Sequence, residues 1–125
     1  MTPPDPLSEL LGFELLEEGP GRAVIRAEVG DGHRNAHGSA HGGFVFALAD
    51  AALAVASNSH GPKAVAIAAS IHFTRAAVVG DVLTARAREI SLGARAATYE
   101  IEVTAEDGSP VALFTGTVHR RGDEA

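Results

Sequence analysis

Several stretches of the chain alternate apolar and polar residues with a period of two. Ala23, Ile25, Ala27 and Val29 alternate with Val24, Arg26 and Glu28. Leu83, Ala85 and Ala87 face opposite Thr84, Arg86 and Arg88, and Tyr99, Ile101 and Val103 alternate with Thr98, Glu100, Glu102 and Thr104. This is the period of half-buried strands. Further strands are expected over "FELLEE" (13–18), 65–74 and 111–120. Turns are expected at "GPG" (19–21), "VVGD", "SLGAR" and "EDGS". A different pattern runs from Gly42 to Asn58, "GGFVFALADAALAVASN". It is apolar on nearly every side and reads as one long helix, closed by "SHGPK". "PPDPLSELLG" predicts a short helix ending at Gly12. Residues 30–43, "GDGHRNAHGSAHGG", have five glycines and no periodicity, which predicts a loop.

The order is therefore strand, strand, helix, then at most four strands. A helix this apolar must be wrapped on most of its circumference. One curved antiparallel sheet covers one side, and a second copy of the chain, or another partner, would cover the rest. Alanines at 47, 49, 51, 52, 54 and 56 suit close approach of helix to sheet or helix to helix. The expectation is an α+β fold in a single domain over residues 1–125 that forms a homodimer.

Composition narrows the function. The chain has no cysteine, which excludes disulfides, thiolate nucleophiles and thiolate metal sites. A net charge of -6 argues against a nucleic-acid partner. Asp50 interrupts the longest apolar run, so no segment reaches membrane-spanning length. The N-terminus lacks the basic and apolar regions of a signal peptide, and a cytoplasmic location is expected.

Asp50 is the one acid in the apolar helix. Burial makes a lone carboxylate costly and raises its pKa. A catalytic base or nucleophile uses such an environment, and so does a structural acid held by backbone or serine donors. Gly42 and Gly43 sit where loop becomes helix. Helix N-termini expose N–H groups and partial positive charge, and glycine lets a carbonyl approach them. Asn35 lies upstream in the loop, where its amide could hold a water or simply form a turn. His41 could donate to a substrate or cap the helix. His33, His37 and His41 recur every four residues, a zinc pattern only on a helix; in a loop it predicts no metal. His60 and His119 read as surface or strand-end residues, and His72 as packed or hydrogen-bonded.

"HRNAHGSAHGGFVFALADAALAVASNS", followed by "HFTRAAVVGDVLTARAREI", "ATYEIEV" and "ALFTGTVHR", resembles the hotdog-fold acyl-CoA thioesterases, in particular their phenylacetate-pathway (PaaI) branch. The resemblance spans nearly the whole chain. It implies a hotdog fold, one long helix wrapped by a curved antiparallel sheet. It implies hydrolysis of an acyl-CoA, such as an aryl-acetyl-CoA, with no cofactor. Asp50 would attack the thioester or activate a water, Asn35 would position the carbonyl or the water, the Gly42 N-terminus would polarise the carbonyl, and His41 would assist. Gly43 and Asn58, at the two ends of the helix, are expected to line the substrate path. Arg75 and Arg95, at strand ends, are expected to hold CoA phosphates, since arginine grips phosphate bidentately. The resemblance also implies homodimers with composite active sites, pairing into homotetramers. Two other classes share parts of this pattern. One is a hotdog dehydratase or hydratase, which pairs a histidine with the helix acid in a different loop. The other is a non-catalytic acyl-CoA binder, whose mark would be loss of the acid.

Overall fold

A computed structural model describes residues 1–121; the last four lie outside the described residues. The elements are α1 (Pro6–Leu11), β1 (Glu14–Gly19), β2 (Arg22–Glu28), α2 (Gly42–Ser57), β3 (Ala64–Phe73), β4 (Val82–Leu92), β5 (Ala96–Thr104) and β6 (Pro110–Arg120), with a 3₁₀ turn at Asp31–His33. The strands form one sheet in the order β1-β2-β4-β5-β6-β3, every pair antiparallel. This is the expected order of elements, an α+β fold with a single long helix. No helix among the described residues is long and apolar enough to cross a membrane.

The alternating stretches fold as their period requires. Ala23, Ile25, Leu83, Ala85, Tyr99, Ile101 and Val103 all point inward onto α2 and are buried. Bulges interrupt the ladders at Leu15/Glu17, Ala66/Ala68, Glu89/Ser91 and Val103/Thr104. Each bulge adds local bend and twist, so the sheet can curve around the helix. The small residues of α2 set the depth of contact. Leu48, Ala49, Ala52, Leu53 and Ala56 are all buried. Gly116 of β6 is the matching hollow: a Cβ there would stand 2.7 Å from Leu53 Cδ2. Any side chain at that position would force the buried Leu53 and Phe114 side chains to shift.

Some boundaries differ from the pattern. β1 begins at Glu14, one residue later than "FELLEE" suggests. Phe13 instead turns under the sheet, its ring edge-on to Phe44 with centroids 5.8 Å apart. β4 runs on to Leu92, because the bulge near Glu89 shifts its register without ending it. His72 is not packed but exposed on β3. His60 is not a free surface residue: its Nε2 lies 2.7 Å from Glu89 Oε2, which also accepts from the buried Tyr99 hydroxyl.

β3 lies at an edge of the sheet, with most of its residues exposed. Val65, Ile67 and Phe73 are exposed apolar side chains on it. The open side of α2 is likewise only partly covered, with Phe46, Ala47, Asp50 and Val55 half-buried and Ala54 exposed.

Candidate active site

The loop before α2 is tightly braced. Asn35 Oδ1 accepts from the backbone N–H of His37 at 2.9 Å and of Ser39 at 3.1 Å. The Asn35 N–H donates to the Ser39 carbonyl at 2.7 Å. This is the local turn that asparagine favours. It consumes the carbonyl end of the side chain and leaves Nδ2 as a donor with no acceptor among the described residues. Asn35 is thus fixed as a donor, narrower than the donor-and-acceptor role its chemistry allows.

The three loop histidines part company. His33 Nδ1 accepts from the Gly30 N–H at 2.9 Å, and its ring stacks on Phe44 with centroids 4.2 Å apart. His37 is exposed. His41 is the N-cap of α2, its Nδ1 accepting from the Gly43 N–H at 2.8 Å. In the neutral ring this fixes the proton on Nε2. The His41 carbonyl takes the N–H groups of Phe44 and Val45. Of the first-turn donors, the Gly42 N–H alone lacks an acceptor among the described residues. Gly42 packs on Phe73: a Cβ would meet its Cζ at 3.3 Å. Asn35, Gly42, Phe73, Thr74 and Arg75 line one cavity of ≈ 430 Å³, so the two residues that carry open donors border the same space.

Asp50 lies elsewhere. It is half-buried on the open side of α2, not enclosed as the apolar pattern of the helix suggests, because the sheet wraps only the other side. Together with Gly43 it faces a second cavity, of ≈ 490 Å³, formed with α1 and lined also by Phe13 and Phe46. Burial raises its pKa above the usual carboxylate value, and the negative charge of Asp5 adds to the rise. No hydrogen bond or ion pair holds the Asp50 carboxylate among the described residues, so backbone or serine donors do not account for it. Gly42 and Asp50 are eight positions apart on one helix, roughly 12 Å along its axis. One chain therefore puts Asn35 and Gly42 on one cavity and Asp50, with Gly43 at its far end, on another, and does not bring the donors to the carboxylate.

Asn58, expected on the substrate path, closes α2. Its Nδ2 donates to the carbonyls of Ala54 (2.8 Å) and Ala64 (3.3 Å), and its Oδ1 accepts from the Ala64 N–H at 3.0 Å. The side chain clamps the turn into β3, and all its N–H groups are engaged there. Arg75 stands at the mouth of the Asn35 cavity. It donates to Ser109 Oγ and lies 3.8 Å from Asp81 and 3.7 Å from Asp107. Arg95 is in the β4–β5 turn, its carbonyl accepting from Arg120 N–H at the opposite end of β6. Arg75 and Arg95 thus lie at opposite ends of the ten-residue β3, roughly 30 Å apart along the strand. They cannot grip one phosphate within one chain. Arg88 pairs with Glu100 at 2.6 Å on the sheet face.

Two residues beside the site escaped the sequence pattern. Asp5 falls among the prolines that open the short helix, and Phe73 within the strand expected over 65–74. Neither carries a local signal of its nearness to Asp50 or to Gly42.

Residues 37–112 match the Thioesterase superfamily. The chain is 41% identical over 118 residues to the acyl-coenzyme A thioesterase PaaI of Escherichia coli, an alignment covering 94% of this chain and 84% of that protein. A mutant of the phenylacetic acid degradation protein PaaI from Thermus thermophilus superposes with a TM-score of 0.90 at 50% identity, over 93% of this chain and 99% of that one. A Streptococcus mutans protein solved bound to acetyl CoA superposes with a TM-score of 0.85 at 30% identity, over 88% of this chain and 89% of that one.

Proposed function

The chain belongs to the thioesterase superfamily and is a thioester hydrolase, and from that premise we propose that it hydrolyses acyl-CoA, an aryl-acetyl-CoA among its substrates, in sites shared by two copies. One relative named for acyl-coenzyme A hydrolysis, and another solved with acetyl CoA, support the substrate class. The observation that carries the mechanism is the separation of parts. Asn35 and Gly42, which carry the open Nδ2 and N–H donors, border one cavity, and an unpartnered carboxylate, Asp50, faces another.

The thioester carbonyl oxygen takes hydrogen bonds from Asn35 Nδ2 and the Gly42 N–H. These donors strengthen as negative charge grows on that oxygen in the tetrahedral intermediate. Asp50 supplies the other half, attacking the carbonyl carbon directly or drawing a proton from an attacking water. Collapse of the intermediate breaks the C–S bond and expels CoA as the thiolate. The water route leaves the free acid. The direct route leaves an acyl–Asp50 anhydride that a water then hydrolyses, freeing the acid and regenerating the carboxylate. Either route needs the ionised carboxylate, and the raised pKa makes it a stronger base once ionised. His41 steadies the Gly42 end as a cap. Its Nδ1 is engaged, which favours hydrolysis over a dehydratase that uses histidine as its base.

The second copy docks through β3. A long apolar edge strand invites pairing, and a two-fold axis pairs it with itself, antiparallel. That arrangement runs the two α2 helices antiparallel and carries Gly42 and Asn35 of one chain toward Asp50 of the other. It also carries Arg75 of one chain toward Arg95 of the other, so that both can serve one CoA. The dimers pair further into homotetramers.

The test is thiol release by the purified protein on a panel of acyl-CoAs, with enoyl-CoA hydration followed in parallel. Turnover on the acyl-CoAs is expected. Hydration instead of thiol release would favour a hydratase, and at most one thiol per site would favour a binder.

A further inference from the structure

The cavity that Asp50 faces holds a second carboxylate. Its walls are mostly apolar, with Leu7, Phe13, Phe46 and Ala47 among them, and Asp5 and Asp50 are its two charged groups. Among the described residues no Lys, Arg or His lines it. We propose that Asp5 is the charge selector of this cleft: it passes uncharged acyl groups to Asp50 and turns away acyl groups that end in a carboxylate. The inference rests on Asp50 being the carboxylate of the site.

Asp5 is held in place. It is the N-cap of α1, its Oδ1 accepting from the Ser8 N–H and its Oδ2 from the Ser8 hydroxyl, both at 2.8 Å. Ser8 itself is buried. Capping needs an oxygen acceptor and not a charge; asparagine and serine cap about as well as aspartate. The charge at position 5 is therefore more than capping requires. It acts on the cleft instead, where Asp5 opposes ionisation of Asp50. An acyl chain with a terminal carboxylate would bring a further negative charge into the same apolar space, where the described residues of this chain line up no cation to meet it. Such a charge is costly to desolvate and is repelled as well. An alkyl or aryl end meets only the apolar wall.

The experiment compares hexanoyl-CoA and adipoyl-CoA, which share a carbon count and end in a methyl or a carboxylate. The CoA charge is common to both and cancels in the ratio. The wild type is expected to prefer hexanoyl-CoA in kcat/KM by roughly tenfold or more, and Asp5→Asn to narrow that preference about three- to tenfold. Asp5 is exposed at the rim, so added salt should narrow it too. The acidic limb of the hexanoyl-CoA pH profile should move to lower pH in Asp5→Asn, a change that loss of a cap does not produce. Asp5→Ser replaces the Asn variant if that one fails to fold. An unchanged ratio in a folded variant, with hexanoyl-CoA turned over normally, overturns the role of Asp5 alone. Equal wild-type rates on the two thioesters overturn it as well. Failure to hydrolyse either one removes the acyl-CoA reading itself, and this inference with it.

Discussion

The Nδ1 of His41 accepts the backbone N–H of Gly43 at 2.8 Å. This bond decides which donor at the start of α2 stays open, closing Gly43 and leaving Gly42. His41→Ala should remove the cap and cost about 1 kcal/mol of stability. It should also slow turnover, because the first turn loses its fixed geometry. His41→Asn, an efficient cap, should restore most of the stability. Thermal unfolding of the two variants checks this, and equal losses in both would mean that the ring acts by something other than capping.

Asp50 gives a sharper expectation. Asp50→Asn keeps the shape and removes the charge, and turnover should fall by roughly 10²–10⁴-fold. The pH profile should show an acidic limb above the usual aspartate range, because burial, aided by Asp5, raises the pKa. Rate is lost as pH falls through that raised value, where the carboxylate takes up its proton. Stability runs the other way. Between the unfolded pKa and the raised folded pKa the native state binds more protons, so stability falls as pH rises through that window. At neutral pH the ionised Asp50 therefore opposes folding, and Asp50→Asn should unfold at or above the wild-type temperature. Activity and melting curves on the same sample test both halves. Wild-type turnover in pure Asp50→Asn protein would end the catalytic role.

Asn35 separates two functions of one side chain. Asn35→Asp keeps the oxygen that accepts from His37 and Ser39 and removes the Nδ2 donor. Asn35→Ala removes both. If the donor stabilises the oxyanion, kcat should drop about 10²-fold or more in each variant. The Asp variant should keep the wild-type melting temperature better than the Ala variant. Near-normal kcat in folded Asn35→Asp would reduce Asn35 to a loop residue.

The order of elements was readable because period-two alternation at 23–29, 83–87 and 98–104 forces one face inward whatever lies beyond. The helix was readable for a different reason, a long run that is apolar on nearly every side. What α2 packs against was less so: its sequence is apolar nearly all round, and only the curvature of the sheet decides which side stays open. Asp50 consequently stands half-exposed where the pattern suggests enclosure. The opposite placement of Arg75 and Arg95 depends on β3 crossing to pair with β6, a long-range choice with no local mark. Asp5 carries an ordinary capping signal, and nothing in the stretch around it points to Asp50, far along the chain. The family resemblance supplied the roles that patterning could not, and the match of residues 37–112 to the thioesterases bears the family out.

The arginines should act on binding rather than on chemistry. Arg75→Ala and Arg95→Ala should each raise KM for an acyl-CoA several-fold and leave kcat nearly unchanged, the mark of uniform binding. With the matching acyl-pantetheine thioester, which lacks the nucleotide, the effect should vanish. Arg75 is braced by Ser109, Asp81 and Asp107, so its substitution also carries a structural risk. Equal losses on both substrates would assign it to holding the 75–81 loop.

The separation of Gly42 and Asp50 on one helix leads to the most demanding test. Reacting groups must converge within roughly 3–3.5 Å, and eight helical positions span roughly 12 Å. If each site takes Asn35 and Gly42 from one chain and Asp50 from the other, two dead variants can rescue each other. Asp50→Ala supplies intact donors and Asn35→Ala supplies an intact carboxylate. In a mixed dimer one site receives both intact halves and the other receives both damaged ones. Random exchange makes about half of the dimers mixed, and each has one working site of two, so activity should recover to about a quarter of wild type. Native mass spectrometry confirms that subunits have exchanged. Exchange without recovery would place both residues in one chain's site, and the antiparallel pairing through β3 would lose its catalytic reason.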